Sequence, residues 1–455
     1  MDIMKKLKRL LLIAVGVIVV ACGEDFLDPA PISAIGENEF YSNETELEAA
    51  VINIYDGLQE AVQREFALTE MRSDNTKSRN REGDWAQFET YSVRPTNAVV
   101  GEYWTDFYNV IFRANSVLEH LDVASEQVAM KFEGEAKFTR ALCYFNLVRL
   151  YGNIPLVKKV VGPQDTDMLL QKPASEVYDL IISDLTTAVA NLDNTYKGRA
   201  SKAAAEALLA KVYLTLGNPA LAKELLESVM NSGFNLEPNF HDVFYNELND
   251  EIIFAIEYAN DLDSDSQDFS YEFTIEGGTG LNFATIDILD ALSSKGGAIR
   301  ETESVLKDPA SIRYMVAKFI TSSSNARLCG NDWIVLRYAD VLLMYVETVI
   351  ALGNGESTVD IAAVNAYKLV KARAGFDVSG IASVTKQELS DERRVELAFE
   401  NHRFYDLVRY GMAEEVLGSW AEFNGFVFNP TDLVLPIPQR EINVTKGALV
   451  QNPGY

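Results

Sequence analysis

The feature that most limits what this chain can fold into is its succession of long amphipathic helical periods. Glu44 to Phe66, Glu102 to Leu121, Glu126 to Tyr151, Ser175 to Leu192 and Ser201 to Met230 carry apolar residues at spacings of three and four, which gathers them on one helix face. The same period returns from Val335 to Leu352, Ile361 to Ala374 and Lys386 to Gly411. Three runs stop alike, at Leu150-Tyr151-Gly152, Thr215-Leu216-Gly217 and Ala351-Leu352-Gly353. Glycine just past a helix supplies a left-handed cap that other residues resist. Around the second stop, Leu209, Ala210, Tyr213, Gly217, Ala222 and Leu226 follow the tetratricopeptide pattern. In that pattern small residues let two antiparallel helices close up while large ones fill the space between. The other two stops are altered copies, so a regular solenoid is too simple. The pattern predicts an all-α, tetratricopeptide-like core of about four helix pairs. A large irregular insertion near 231–334 interrupts it, containing the β-rich run Glu251 to Tyr258, and an extended, proline-bearing C-terminal tail closes it.

The N-terminus gives an address. Lys5, Lys6, Lys8 and Arg9 precede an apolar run from Leu10 to Ala21, and Cys22 follows at once. A basic region, a short apolar stretch and a small residue before the cut describe a secretory signal. The apolar run has twelve residues, whereas a spanning helix takes roughly 20. A cysteine directly after Ala21 resembles a lipobox, so 1–21 reads as a lipoprotein signal peptide with Cys22 acylated. Residues 22–43 then form a tether and extended segment, and 44–455 a single domain. An ordinary signal peptide with an incidental cysteine is the competing reading.

Composition narrows the chemistry. The net charge is −27, which disfavours nucleic-acid partners and makes a polyanionic glycan a poor first guess. Beyond Cys22 only Cys143 and Cys329 remain, far apart, so no disulfide framework is expected. Three histidines, His120, His241 and His402, stand apart from one another and from the cysteines, leaving zinc without ligands at suitable spacing. No GxSxG elbow, P-loop or GxGxxG follows a strand, and no carboxylate pair stands out as a glycosidase dyad. The expectation is a protein without a cofactor that is not an enzyme. Asp261, Asp263, Asp265 and Glu272 match positions 1, 3, 5 and 12 of an EF-hand-like calcium loop. Ser266 stands where the turn glycine belongs and Asp268 where an apolar residue is expected, so a solvated acidic loop is the preferred reading.

Aromatic residues point to a ligand. Trp85, Phe88 and Tyr91 lie in a polar stretch with Asp74, Asn75, Arg79 and Arg81. Sugar rings stack their C–H faces on aromatic rings while Asp, Asn and Arg bond the hydroxyls. The alternative is that these rings pin a long loop onto the helices. Phe269, Tyr271 and Phe283 in the insertion are further candidates for the ligand face, whereas Trp333 before an apolar helix reads as core.

As a set, several segments resemble the SusD/RagB family. They are Trp104 to Tyr108 with Ile111 to Asn115, Gly134 to Gly152 followed by Ile154-Pro155-Leu156, Arg337 to Tyr345, Arg393 to Gly411, and an ending of Leu435-Pro436-Ile437-Pro438, Glu441-Ile442 and Gln451 to Tyr455. They occur in order along the chain. The acids Glu24, Asp25 and Asp28 behind Cys22 also resemble the export signal of surface lipoproteins in Gram-negative polysaccharide users. The signatures themselves read as scaffold, with Glu396 facing Arg403 and Asp406 facing Arg409 or Tyr410 at helical spacing. The resemblance implies a lipid-anchored outer-membrane protein at the cell surface. Such a protein captures oligosaccharides without cleaving them and passes them to a SusC-like TonB-dependent transporter. It places the glycan face on loops outside the repeats, here residues 74–91. The alternative function is a helical-repeat interaction scaffold at the outer membrane that lacks glycan affinity.

Overall fold

The computed structural model describes residues 41–79, 82–162, 165–195, 197–274, 281–309 and 311–455. The signal sequence, Cys22 and the acids behind it lie outside these residues, as does Arg81.

Four helix pairs form the core: α1 (Glu44–Val62) with α2 (Ala98–Glu119), α3 (Glu126–Tyr151) with α4 (Ala174–Asn191), α5 (Lys202–Thr215) with α6 (Pro219–Met230), and α7 (Tyr338–Leu352) with α8 (Ile361–Arg373). Each helix packs on the next in this order, α6 on α7 included although the insertion separates them in sequence. Capping residues set the starts. The side chain of Asn43 accepts from the amides of Thr45 and Glu46, Ser201 from Ala204, and Asp360 from Ala363, each satisfying a donor the helix itself leaves open. Ala203, Ala204, Ala205, Ala207 and Ala210 are all fully buried, so α5 runs through the middle of the array and its methyl groups let neighbours approach. Gly134 has a similar task, because a Cβ there would lie 2.8 Å from Cγ of Leu192 at the end of α4. The expected glycine caps occur at Gly152 and Gly217, both at φ 72°. Gly353 departs from the pattern at φ −85°, and the left-handed turn falls at Gly355 instead.

The run from Lys386 to Gly411 is not one helix. It divides into α9 (Lys386–Glu396) and α10 (Arg403–Arg409). Between them Phe399 and Asn401 take φ of 69° and 63°, a region that bulky residues enter only when the surroundings hold them there. Here the amide of Asn401 donates to Oε1 of Glu70 at 2.9 Å, and its side chain accepts from Thr69. The break separates Glu396 from Arg403, so that expected pair does not form. Asp406 and Arg409 do meet, at 2.8 Å.

The insertion is built of short elements tied to the helices by two small sheets. β1 (Thr76–Ser78) pairs antiparallel with β3 (Asn282–Ala284), and β2 (Ile252–Ile256) with β4 (Trp333–Arg337), which leads directly into α7. After α11 (Ala413–Asn424) the tail returns to the end of α3. There the Leu435 amide bonds the Leu150 carbonyl at 2.7 Å, and the Asn452 side chain donates to the Tyr151 carbonyl at 2.9 Å.

A buried network of ion pairs joins the insertion, the repeats and the α9–α10 segment. Arg337 donates to Glu251, Glu396 and Glu400, Lys318 to Glu400, Arg373 to Glu251 and Glu396, and Arg300 to Glu392. Arg393 bridges Asp340 and Asp406, and Lys211 takes the other oxygen of Asp340 at 2.7 Å. Burial opposes the charge of Lys318 and outweighs Glu400, drawing its ammonium down to about 8. His402 lies among these charges. Burial, helped by Lys211, lowers its imidazole to about 3, which keeps it neutral.

Candidate functional site

The site is assembled from the loop after α1 and from the insertion. Past the end of α1, Arg64 lies beside and Phe66 within the short helical turn Glu65–Leu68, and Trp85 lies in the short helix Gly83–Glu89. Phe66 is buried and stacks beneath the half-buried Trp85, centroids 5.6 Å apart and planes inclined by 12°. Phe273 closes edge-on against Phe66 at 4.9 Å. The indole is thus held flat by an aromatic floor.

Charged groups continue from its edge. The Arg64 guanidinium lies 5.9 Å from the Trp85 ring centroid and is bound through both terminal nitrogens by Asp268, one contact at 3.0 Å. Asp268 also receives Nη1 of Arg327 at 3.3 Å, and the Arg327 guanidinium lies 4.1 Å from the centroid of Tyr271. The result is one chain of contacts, Trp85–Arg64–Asp268–Arg327–Tyr271. Asp268 precedes the helical turn Phe269–Phe273, and Glu272 follows within that turn. Glu272 is only 5% exposed; its Oε1 lies 3.6 Å from Arg327, and its Oε2 accepts no hydrogen bond from the described residues. Burial, reinforced by Asp268, lifts its carboxyl to about 7 against the opposing pull of Arg64 and Arg327. Burial works against the Arg64 charge as well, and Asp268, Glu272 and Glu102 overcome it. Farther along, burial with Glu60 and Glu102 nearby raises Asp106 to about 6.

Of the sequence candidates, the half-buried Trp85 and Tyr271, which is 8% exposed and lies against Arg327, stand at the two ends of this chain of contacts, and the others divide by burial. Asp74 and Asn75 are interior. Burial would raise the Asp74 carboxyl, but Arg394 and Arg403 outweigh it and hold it at about 2. Asn75 accepts from Arg394 at 3.1 Å. These two residues hook the base of the loop to α9 and α10, which corrects their reading as sugar ligands. Phe88, Phe269 and Phe283 are at most 1% exposed and are core. Phe269 meets Trp333 edge-on at 5.1 Å, and Trp333 is itself buried. Tyr91 is a pin: its hydroxyl donates to the Arg72 carbonyl at 3.0 Å, and Trp420 and Phe428 enclose its ring. Arg79 is half-buried, and its amide prolongs the β1–β3 pairing by bonding the Leu281 carbonyl.

The four acids of the calcium reading are not brought together. Asp261 accepts from the side chains of Ser323 and Ser324 and from the amides of Ser324 and Asn325, bonds that lower its carboxyl to about 2. Asp263 and Asp265 face solvent, and Glu272 belongs to the arginine chain. Among the described residues no three His, Cys, Asp or Glu side chains gather as metal ligands. Asp261 instead shapes the loop that presents Arg327.

Arg64, Asp268 and Arg327 carry no local sequence signal. Arg64 sits in a run with helical period and Arg327 in an unpatterned polar stretch, so only the fold brings them beside Trp85 and Tyr271.

Known proteins share this architecture. A family model described as "SusD family" matches residues 301–455, and one described as "Starch-binding associating with outer membrane" matches residues 25–214. SusD-like protein P2 of Formosa agariphila is 27% identical, covering 96% of this chain and 97% of its own length. A solved structure of a laminarin binding SusD-like protein superposes with a TM-score of 0.77 at 29% identity, covering 91% of this chain and all of that one. Surface glycan-binding protein A of Bacteroides thetaiotaomicron, in complex with laminarihexaose, shares the fold at a TM-score of 0.75, with 19% identity and coverage of 90% of this chain and 99% of that one.

Proposed function

Because the chain belongs to the SusD/RagB family, we propose that it captures oligosaccharides at the cell surface and passes them, uncleaved, to a SusC-like TonB-dependent transporter. The Trp85–Tyr271 face receives the sugar, and acylated Cys22 tethers the protein to the outer membrane. The observation that carries this reading is the contact chain from Trp85 to Tyr271. It offers a ring on a rigid floor beside fixed donors and acceptors, which is what a sugar's apolar face and hydroxyl rim require. Family relatives bear names of binding proteins, and the neighbour at 29% identity is named for laminarin, so a glycan is the ligand class this reading assigns.

The test is calorimetric titration of the whole protein with a panel of oligosaccharides. Trp85→Ala is expected to weaken binding at least tenfold, about 1.4 kcal/mol, with only a modest change in melting temperature because the ring is half-buried. Unchanged affinity per folded molecule would remove Trp85 from the ligand face. For the tether, Cys22→Ala is expected to move the protein from the membrane fraction to the soluble one. Retention after a carbonate wash, in cells lacking the transporter, would refute acylation.

A further inference from the structure

Given the glycan-capture reading, on which this inference rests, the face must still select among glycans. Surface polysaccharides divide into uncharged chains and chains that carry carboxylate or sulfate. Recognition of an anionic sugar calls for a cation whose forked donors are free to face it. Among the described residues, both cations of the contact chain on this face are already committed. Arg64 directs both terminal nitrogens to Asp268, and Arg327 directs Nη1 to the same carboxylate and toward Glu272. Glu102 lies within the field of Arg64, and Glu60 and Asp106 adjoin it. The two guanidinium groups therefore meet at least as many carboxylates, in a chain whose net charge is −27. Such a field concentrates no anions.

We propose that the Trp85–Tyr271 face takes uncharged glycans, and that Asp268 is its specificity-determining residue because it withholds Arg64 and Arg327 from anionic sugars. An uncharged sugar loses nothing by this arrangement. Its ring stacks on Trp85, and its hydroxyls bond carboxylate lone pairs and the remaining N–H groups of Arg327, whose side chain is 53% exposed. A carboxylated or sulfated sugar would have to displace Asp268 from both arginines while facing its charge.

The experiment titrates the full-length protein in detergent with laminarin, xyloglucan and starch as uncharged probes, and with alginate and polygalacturonate as anionic ones. Each is run at ~0.05 M and ~0.5 M salt, across which exposed charges become screened. The unaltered protein is expected to bind only uncharged probes, with affinity changing less than about twofold between the two salts. Asp268→Asn is expected to gain at least about tenfold for an anionic probe at low salt and to lose that gain at high salt. Adding Arg327→Ser should shrink the gain, because Arg64 alone is then left to meet the anion, and adding Arg64→Ser as well should abolish it. If Asp268→Asn does not fold, Glu272→Gln, which frees Arg327 from the other side, is expected to show the same gain at smaller size. Salt-sensitive binding of alginate or polygalacturonate by the unaltered protein would overturn the proposal. So would folded variants that gain nothing for anions. Binding of no probe from either class would instead remove the glycan-capture reading itself, and that result is distinct from a wrong choice of class.

Discussion

Arginine meets carboxylate in two settings in this molecule, and the contrast explains how the chain divides scaffold from surface. In the interior, Arg337 reaches three glutamates, and every member of that cluster is at most 1% exposed. At the rim, Arg64 and Arg327 share Asp268, with side-chain exposures of 28% and 53%. The interior charges hold one another in a medium where none can exist alone. The rim charges are backed by water and can exchange partners. The interior cluster fixes how insertion, α7 and α9 meet; the rim cluster sets what touches the outside. The first arrangement tolerates few changes and the second many, so the recognisable segments identify the family and leave the sugar unnamed.

Removing Arg337 should show the larger side of this contrast. Arg337→Ala takes the one partner common to Glu251, Glu396 and Glu400 and leaves them to Arg373, Lys318 and Arg300, and a loss of about 3–5 kcal/mol is expected, read as a lower midpoint in urea unfolding. A loss under about 1 kcal/mol, the range of surface pairs, would erase the distinction between the two settings.

Asp74 sharpens the contrast from between the settings, since it sits on the ligand loop but pairs with Arg394 and Arg403 in the interior. Its carboxyl is held at about 2, below the ordinary value. The stability it contributes is therefore present above the unfolded pKa near ~4 and is lost as pH falls through about 2. Asp74→Asn is expected to cost about 2–3 kcal/mol at neutral pH. The difference between variant and parent should shrink across that window in melting curves. A difference independent of pH would place Asp74 outside the interior network.

How much was legible beforehand follows the same division. The helix Glu126–Tyr151 and the pairing of α5 with α6 were readable from period and punctuation, because a helix that buries one face must repeat apolar residues at its own pitch. The break at Phe399 and Asn401 was hidden, since no glycine or proline marks it and the positive φ is imposed by Glu70 and Thr69, far away in sequence. Trp85 was legible as a large ring in a polar stretch. Asp74 and Asn75 looked equally exposed by composition, and their burial depends on Arg394 and Arg403 some three hundred residues later. The charged neighbours of Trp85 were illegible for the same reason: Arg64, Asp268 and Arg327 meet only through tertiary contact.

The smallest expected effect tests the rim side directly. Arg327 is half exposed, stacks on Tyr271 and shares a carboxylate that Arg64 already holds. Its removal strands no buried charge at Asp268, because Arg64 keeps both contacts. Arg327→Ala should therefore change stability by less than about 1 kcal/mol, the range of partly exposed pairs. The same substitution removes donors from the face proposed to receive the sugar, so affinity for an uncharged glycan should fall while the unfolding midpoint stays nearly still. Arg337→Ala should behave the other way round, with a large change in midpoint and near-normal affinity in whatever fraction remains folded. The residue that could blur this separation is Glu272, which is buried and lies 3.6 Å from Arg327. Because its carboxyl titrates at about 7, it can take up a proton when Arg327 is gone. Any stability cost of Arg327→Ala should therefore be greater at pH 8 than at pH 6, where Glu272 is neutral in both proteins. A cost independent of pH would show that Arg327 does not face Glu272.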